Sequence, residues 1–392
     1  MDFIPYGKQD ITQADIDAVV QVLKADFLTQ GPCVPRFEEV VSSHVGAKHA
    51  VAVNSATSAL HLACRTLDLG PGDWLWTSPI TFVASANCGL YCGANVDFVD
   101  IDPRTYNICP KALEQKLLRA EKKATLPKIV VAVHLCGQPC DMAAIHALSQ
   151  RFGFRVIEDG AHAIGSRYKD EFVGNGRNSD ITVFSFHPVK IITTAEGGMA
   201  LTNDPDLAER MNLLRSHGVT REPKLMTHEP DGPWYYQQID LGYNYRMTEL
   251  QAALGISQMD RLDEYVTRRN QLAQRYDELL ADLPLTTPWQ HPDCYSARHL
   301  YVIRLHLESI QRSHKEVFEN LRENGIGVNL HYIPVHTQPY YRNLAQKMEI
   351  KYGNYPEAEA YYREAISLPL FPKMSEEQQD KVVNVLREST CP

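Results

Sequence analysis

The chain has 392 residues, 44% of them hydrophobic and 22% charged, with a formal net charge of −9. This composition builds a large core, so it excludes long disorder and any need for disulfides or a structural metal. The acidic balance lacks the basic footprint of a nucleic-acid binder, and no apolar run reaches the roughly 20 residues of a membrane span.

The first residues show neither the basic nor the apolar stretch of a signal peptide, which predicts a cytoplasmic protein. Thr12 followed by Asp15 forms a capping-box start for a helix bearing Ile16, Val19, Val20 and Leu23. Apolar strand patterns at 49–53, 74–77, 96–101, 129–134, 155–158, 181–186 and 199–202 then alternate with helical patterns at 57–69, 82–92, 110–122 and 141–152. The alternation predicts an α/β fold whose mostly parallel central sheet is covered by helices on both faces. Gly174 and Gly176 read as a turn, because a third glycine and a preceding strand are missing. Residues 218–241 break the rhythm and read as a long functional loop. One long helix is expected from Thr248, capped with Gln251, through Leu279. A turn region at 283–288 precedes a strand at 300–305, a helix at 314–324, a strand at 328–331 and two more helices. The expected division is a large domain, 1–281, and a small C-terminal α/β domain, 282–392; the first helix fits against either.

The nine cysteines are an odd set spread from Cys33 to Cys391, as expected for reduced thiols. The C-x3-C pairs Cys88/Cys92 and Cys136/Cys140 suit apolar packing better than zinc, so no metal is expected.

In open α/β sheets, ligands sit where strand carboxyl ends lead into helices. Four such exits carry useful chemistry. Asn54-Ser-Ala-Thr-Ser58 starts a helix, whose free amides suit a phosphate or simple capping. Thr81-Phe82 offers a ring for a flat ligand. Glu158-Asp159 closes a strand with acid. Ser185-Phe-His-Pro-Val-Lys190 puts a lysine just past an apolar strand, with Glu196-Gly-Gly198 close behind. Each alone has a bland explanation. Together they are the parts needed for pyridoxal 5′-phosphate, which requires a lysine for its imine and an acid to hold its ring nitrogen protonated.

These residues resemble a known family. Asn-Ser-Ala-Thr-Ser-Ala-Leu (54–60), Ser-Pro-Ile-Thr-Phe-Val-Ala (78–84), Glu-Asp-Gly-Ala-His-Ala (158–163), Ser-Phe-His-Pro-Val-Lys (185–190) and Gly-Tyr-Asn-Tyr-Arg-Met-Thr-Glu-Leu-Gln-Ala-Ala (242–253) are similar to the DegT/DnrJ/StrS sugar-nucleotide aminotransferases. The resemblance implies a fold-type I, aspartate-aminotransferase-like homodimer. It implies Lys190 as the residue that carries the cofactor, Asp159 as partner of the ring nitrogen, and His162 beside the ring. Ala56, Thr57 and Ser185 would hold the phosphate, Phe82 would stack on the ring, and Asn244 would reach the phosphate of the neighbouring subunit. Tyr6, Thr29, Gln30, His331 and Tyr332 are candidates for the sugar-nucleotide pocket.

Leu28-Thr-Gln-Gly31, Ile192-Thr-Thr-Ala-Glu-Gly-Gly198, Arg215-Ser-His-Gly218, His331-Tyr-Ile-Pro334 and Ala365-Ile-Ser-Leu-Pro369 are most similar to one subgroup. It moves an amino group from L-glutamate to C4 of a UDP-4-keto-6-deoxy-N-acetylhexosamine. The product feeds pseudaminic acid, a sugar of bacterial flagellin and surface glycans. Much of the family has glycine where this chain has Ala195. Three alternatives stay open: an aminotransferase making 4-amino-4-deoxy-L-arabinose, a dehydratase, and a non-catalytic cofactor- and sugar-binding regulator. The dehydratases of this family replace the lysine with histidine, and this chain keeps Lys190.

Overall fold

The computed structural model describes residues 3–348, 350 and 352–390, so Met1, Asp2 and Cys391 lie outside the described residues. Helices α1 (Gln13–Lys24) and α2 (Cys33–Val45) precede strand β1 (His49–Val53). Then follow α3 (Ala56–Thr66), β2 (Trp74–Thr77), α4 (Ala84–Tyr91), β3 (Asn95–Phe98), α5 (Pro110–Glu121), β4 (Ile129–Val133), α6 (Met142–Phe152) and β5 (Arg155–Asp159). Short strands β6 (Arg167–Tyr168) and β7 (Glu171–Phe172) lead to β8 (Ile181–Ser185), β9 (Gly198–Thr202) and α7 (Pro205–Arg215). A two-stranded ribbon, β10 (Val219–Thr220) with β11 (Gln237–Gln238), comes before α8 (Glu249–Met259) and α9 (Leu262–Leu279). The remainder is β12 (Leu285–Thr286), β13 (Cys294–Tyr295), β14 (Tyr301–Leu305), α10 (His314–Glu323), α11 (Pro339–Lys347), α12 (Pro356–Glu364), β15 (Ala365–Leu368) and α13 (Glu376–Thr390).

The main sheet has seven strands in the order β1-β9-β8-β5-β4-β2-β3. Only β9 is antiparallel to its neighbours, β1 and β8, so the other six all point the same way. Their carboxyl ends share one edge, and the site lies there. Strands β4, β8 and β9 are buried at every residue, which demands cover on both faces. Side-chain alternation supplies it: Val183 joins the core under α3 and α4, while Phe184 joins the core of α2, α8 and α9. In the same way Val131 faces the α3–α4 core, and Val130 faces α5 and α6.

A second core lies in the C-terminal part. Antiparallel β12, β14 and β15 bury Leu285, Ile303 and Ile366 against Val317 and Leu321 of α10 and Val382 and Leu386 of α13. Ile4 enters this core from the far end of the chain. Its N–H donates to Gly325 O (2.9 Å), and its carbonyl accepts from Gly327 N–H (2.6 Å). Helix α1 instead docks on α8, where Asp15 accepts from Ser257 Oγ, Gln258 Nε2 and Arg261 at 2.7–3.0 Å.

Several expectations need correction. The long helix is two, broken at Asp260–Arg261, because Arg261 leaves helical geometry and turns its guanidinium to Thr12 and Asp15. Residues 328–331 form no ladder strand; Asn329 makes one bridge to Ser367, and β14 pairs instead with β15. Three helices follow 331, not two. The 218–241 loop carries the β10–β11 ribbon. Helix α2 has no counterpart among the expected elements. The eight described cysteines are all free thiols.

Candidate active site

At the common strand edge lies a cavity of about 540 Å³. Of the residues singled out above, Tyr6, Ala56, Thr57, Phe82, Asp159, His162, Ser185, Lys190, His331 and Tyr332 line it. Thr29, Gln30 and Asn244 do not. All three are exposed at the surface of this chain.

Helix α3 begins at this edge. Ser55 caps it by accepting from Ser58 N–H at 3.1 Å, which leaves the first-turn amides of Ala56 and Thr57 without intrahelical partners. Gly198 makes the approach possible: a Cβ there would fall 2.4 Å from Ala56 N. Amides and helix dipole together suit a phosphate.

Strand β8 ends at Ser185, and the next turn is pinned to the sheet. Phe186 N–H donates to Gly197 O and Thr194 N–H donates to Phe186 O, both at 2.9 Å. Ala195 holds φ at +64° in this turn, the left-handed region that glycine enters at no cost. Lys190 hangs from the same loop into the cavity. Burial pushes its amine down to about 8, against a smaller upward pull from Asp159.

The two acids at the end of β5 point to opposite faces and do different work. Glu158 accepts from His134 Nε2 (2.8 Å), Ser179 Oγ (2.5 Å) and Thr182 Oγ1 (3.2 Å), all on the inner side. These donors hold its carboxyl below the usual range despite burial. Asp159 faces the cavity, taking Ser85 Oγ on one oxygen (2.6 Å) and Ala161 N–H on the other (3.1 Å).

His162 Nδ1 accepts from Cys136 N–H at 3.2 Å, so the neutral ring carries its proton on Nε2, 3.2 Å from the Tyr332 hydroxyl. Burial, then the charge of Lys190, pushes His162 well below the ordinary histidine range. The same causes bring His331 to about 4, and its Nδ1 lies 2.8 Å from Ser367 Oγ. Both are neutral at pH 7. Phe82 is 58% exposed, and its ring forms an open wall 6.1 Å from that of Tyr332.

Sequence reasoning named Thr81 only as the neighbour of Phe82 and missed Ser85 and His299, all of which also line the cavity. Ser85 was within reach, one residue past the quoted 78–84 segment and one helical turn from Thr81. His299 precedes a strand with no pattern to flag it.

A depressed lysine, an acid at a strand end, an open aromatic wall and a helix start with free amides suit pyridoxal 5′-phosphate, and define the site of an enzyme that uses it. Residues 9–387 match the DegT/DnrJ/EryC1/StrS aminotransferase family, and the chain belongs to it. It is 40% identical over 388 residues to the spore coat polysaccharide biosynthesis protein SpsC of Bacillus subtilis, covering 98% of this chain and 97% of that one. It is 37% identical over 373 residues to the UDP-4-amino-4,6-dideoxy-N-acetyl-β-L-altrosamine transaminase of Campylobacter jejuni, covering 95% and 93%. The structure of Helicobacter pylori PseC, an aminotransferase involved in the biosynthesis of pseudoaminic acid, superposes with a TM-score of 0.89 at 32% identity, covering 99% of both chains. Solved relatives include pyridoxal- and pyridoxamine-phosphate forms. The protein is thus a pyridoxal-phosphate-dependent sugar aminotransferase with the fold of that class. Among the described residues no helix is long and apolar enough to cross a membrane.

Proposed function

We propose that this enzyme transfers the amino group of L-glutamate to C4 of a UDP-4-keto-6-deoxy-N-acetylhexosamine, a cytoplasmic step toward pseudaminic acid. The observation that carries the chemistry is the meeting of Lys190, Asp159 and the α3 amides in one cavity. The sugar rests on likeness to the Campylobacter and Helicobacter enzymes. The 40% identity to the Bacillus spore-coat protein favours a second reading, a different nucleotide sugar.

When bound, the cofactor supplies an electron sink for a carbanion. Lys190 would hold it, and its free Nζ would be the base that carries a proton between carbon centres. A lysine near 8 performs this at neutral pH far better than one at its ordinary value. Asp159 keeps a positive charge on the ring nitrogen. Ala56, Thr57 and Ser185 would bind its phosphate, Phe82 would cover its ring, and His162 would stand beside it as a neutral group. Tyr6, His331 and Tyr332 face the sugar. Asn244, exposed here, would complete the site of the second subunit of a homodimer, while Thr29 and Gln30, expected at the sugar-nucleotide pocket, lie outside the cavity of this chain. Residues 1–281 form the cofactor-holding unit, and 282–392 the small unit that brings His331 and Tyr332.

The test is the visible spectrum of protein loaded with pyridoxal phosphate, followed by L-glutamate and then the UDP-4-keto sugar. We expect a yellow band that glutamate removes and the keto sugar restores, with aminated sugar released. Lys190→Ala should lose at least about 1,000-fold in turnover. A band that ignores glutamate would overturn the donor, and full turnover in Lys190→Ala would overturn the mechanism.

A further inference from the structure

The hydroxyls of Thr81 and Ser85 have no role in the reading above, yet both are buried, 2% and 1% exposed, and both line the cavity. Ser85 Oγ lies 2.6 Å from Asp159 Oδ2, and Thr81 Oγ1 lies 2.7 Å from Ser85 Oγ. A carboxylate only accepts, and a serine hydroxyl has one proton to give. Ser85 therefore donates to Asp159, and Thr81 donates to Ser85. The competing acceptor for Ser85, Phe82 O, is farther away at 3.4 Å. Asp159 Oδ1 takes Ala161 N–H at 3.1 Å. The carboxylate thus has one donor on each oxygen, one from the start of α4 and one from its own loop. The segment that carries Thr81 and Ser85 also carries Phe82, so the acid and the aromatic wall share one support.

We propose that Thr81 and Ser85 are positioning residues: a one-way hydrogen-bond chain, Thr81 to Ser85 to Asp159, that fixes the orientation of the acid toward a cationic ring nitrogen. The inference rests on Asp159 as partner of that nitrogen and deepens that assignment. Charge-assisted hydrogen bonds in buried sites are the strong ones. Losing the link should therefore weaken the hold on the cofactor even where the fold survives.

The experiment measures retention of pyridoxal phosphate by dialysed apoprotein, with the apoprotein melting temperature as a control for folding. Ser85→Ala should bind the cofactor about 10- to 100-fold more weakly. Its kcat should fall more than its KM for the keto sugar changes. Ser85→Thr keeps the donor and should restore binding to within a few-fold. Thr81→Val touches nothing on Asp159 and should weaken binding by a smaller factor. The double variant Ser85→Ala/Thr81→Val should be no worse than Ser85→Ala alone, because Thr81 acts only through Ser85. Additive losses would mean two separate packing defects and would overturn the chain. Unchanged retention in Ser85→Ala, or unchanged retention in Thr81→Val should Ser85→Ala melt early, would overturn it too. Wild-type protein that takes up no cofactor would sink the underlying assignment, a result distinct from either.

Discussion

An ordinary lysine is almost wholly charged at neutral pH, yet the role proposed for Lys190 requires the free amine to attack a carbonyl. With its amine near 8, about 9% is neutral at pH 7, roughly 200 times the fraction of an unperturbed lysine. The sign follows from burial, which disfavours the cation, with only a smaller opposing pull from Asp159. Capture of pyridoxal phosphate by apoprotein should therefore speed up about fivefold between pH 7 and 8 and less than twofold between pH 8 and 9. Stopped-flow absorbance measures this directly; a rate still climbing tenfold per unit at pH 9 would mean that Lys190 is not depressed. Lys190 and Asp159 were legible in the sequence because chemistry demands those side chains at strand exits. The part played by the Thr81 and Ser85 hydroxyls was not, since hydroxyls beside a helix start already have an ordinary explanation as caps.

Helix α2 shows how one element borrows from another. Its N-terminal neighbour is Pro32, which has no side chain to accept from the free amides. Buried Glu249, in the first turn of α8, accepts instead from Cys33 N–H (2.6 Å) and Val34 N–H (3.3 Å). Negative charge there also meets the positive end of the α2 dipole. Glu249→Ala should cost about 2–3 kcal/mol in denaturant unfolding of the apoprotein, and Glu249→Gln less, because an amide oxygen still accepts. An unchanged midpoint would mean that water serves those amides equally well. The alternating strands and helices of the central sheet were readable because its strands are apolar throughout and its helices striped. Helix α2 carries the same signal, Val34, Phe37, Val41 and Val45 at helical spacing, and was passed over; only its cap, 216 residues away, lies beyond a local reading. The break between α8 and α9 was hidden because the apolar stripe continues in phase across it. Strand β15 was masked by its short Ala-Ile-Ser-Leu run, next to a helix and a proline.

At the scale of the whole molecule, an exposed Asn244 serving a partner's cavity makes a separable claim. Each inactive variant, Lys190→Ala and Asn244→Asp, would damage both sites of its own homodimer. In a mixed dimer, both defects would fall in one site and leave the other intact. Random mixing of the two should restore about a quarter of wild-type turnover. Mixed preparations no more active than their parents would place Asn244 in its own subunit's service.

The bridge from Ile4 to Ile326 also has a meaning in time. A ribosome adds about 5–20 residues each second, so Ile4 emerges on the order of tens of seconds before the hydrophobic pocket it fills. Through that interval the large sheet can form from neighbours in the chain, while the leading residues stay unclaimed. Their docking waits until residues 326 and 370 have been synthesised, and it sets Tyr6 against the cavity, where Tyr6 O accepts from Leu370 N–H at 3.0 Å. The pocket is therefore completed late, by a segment made long before the one that receives it.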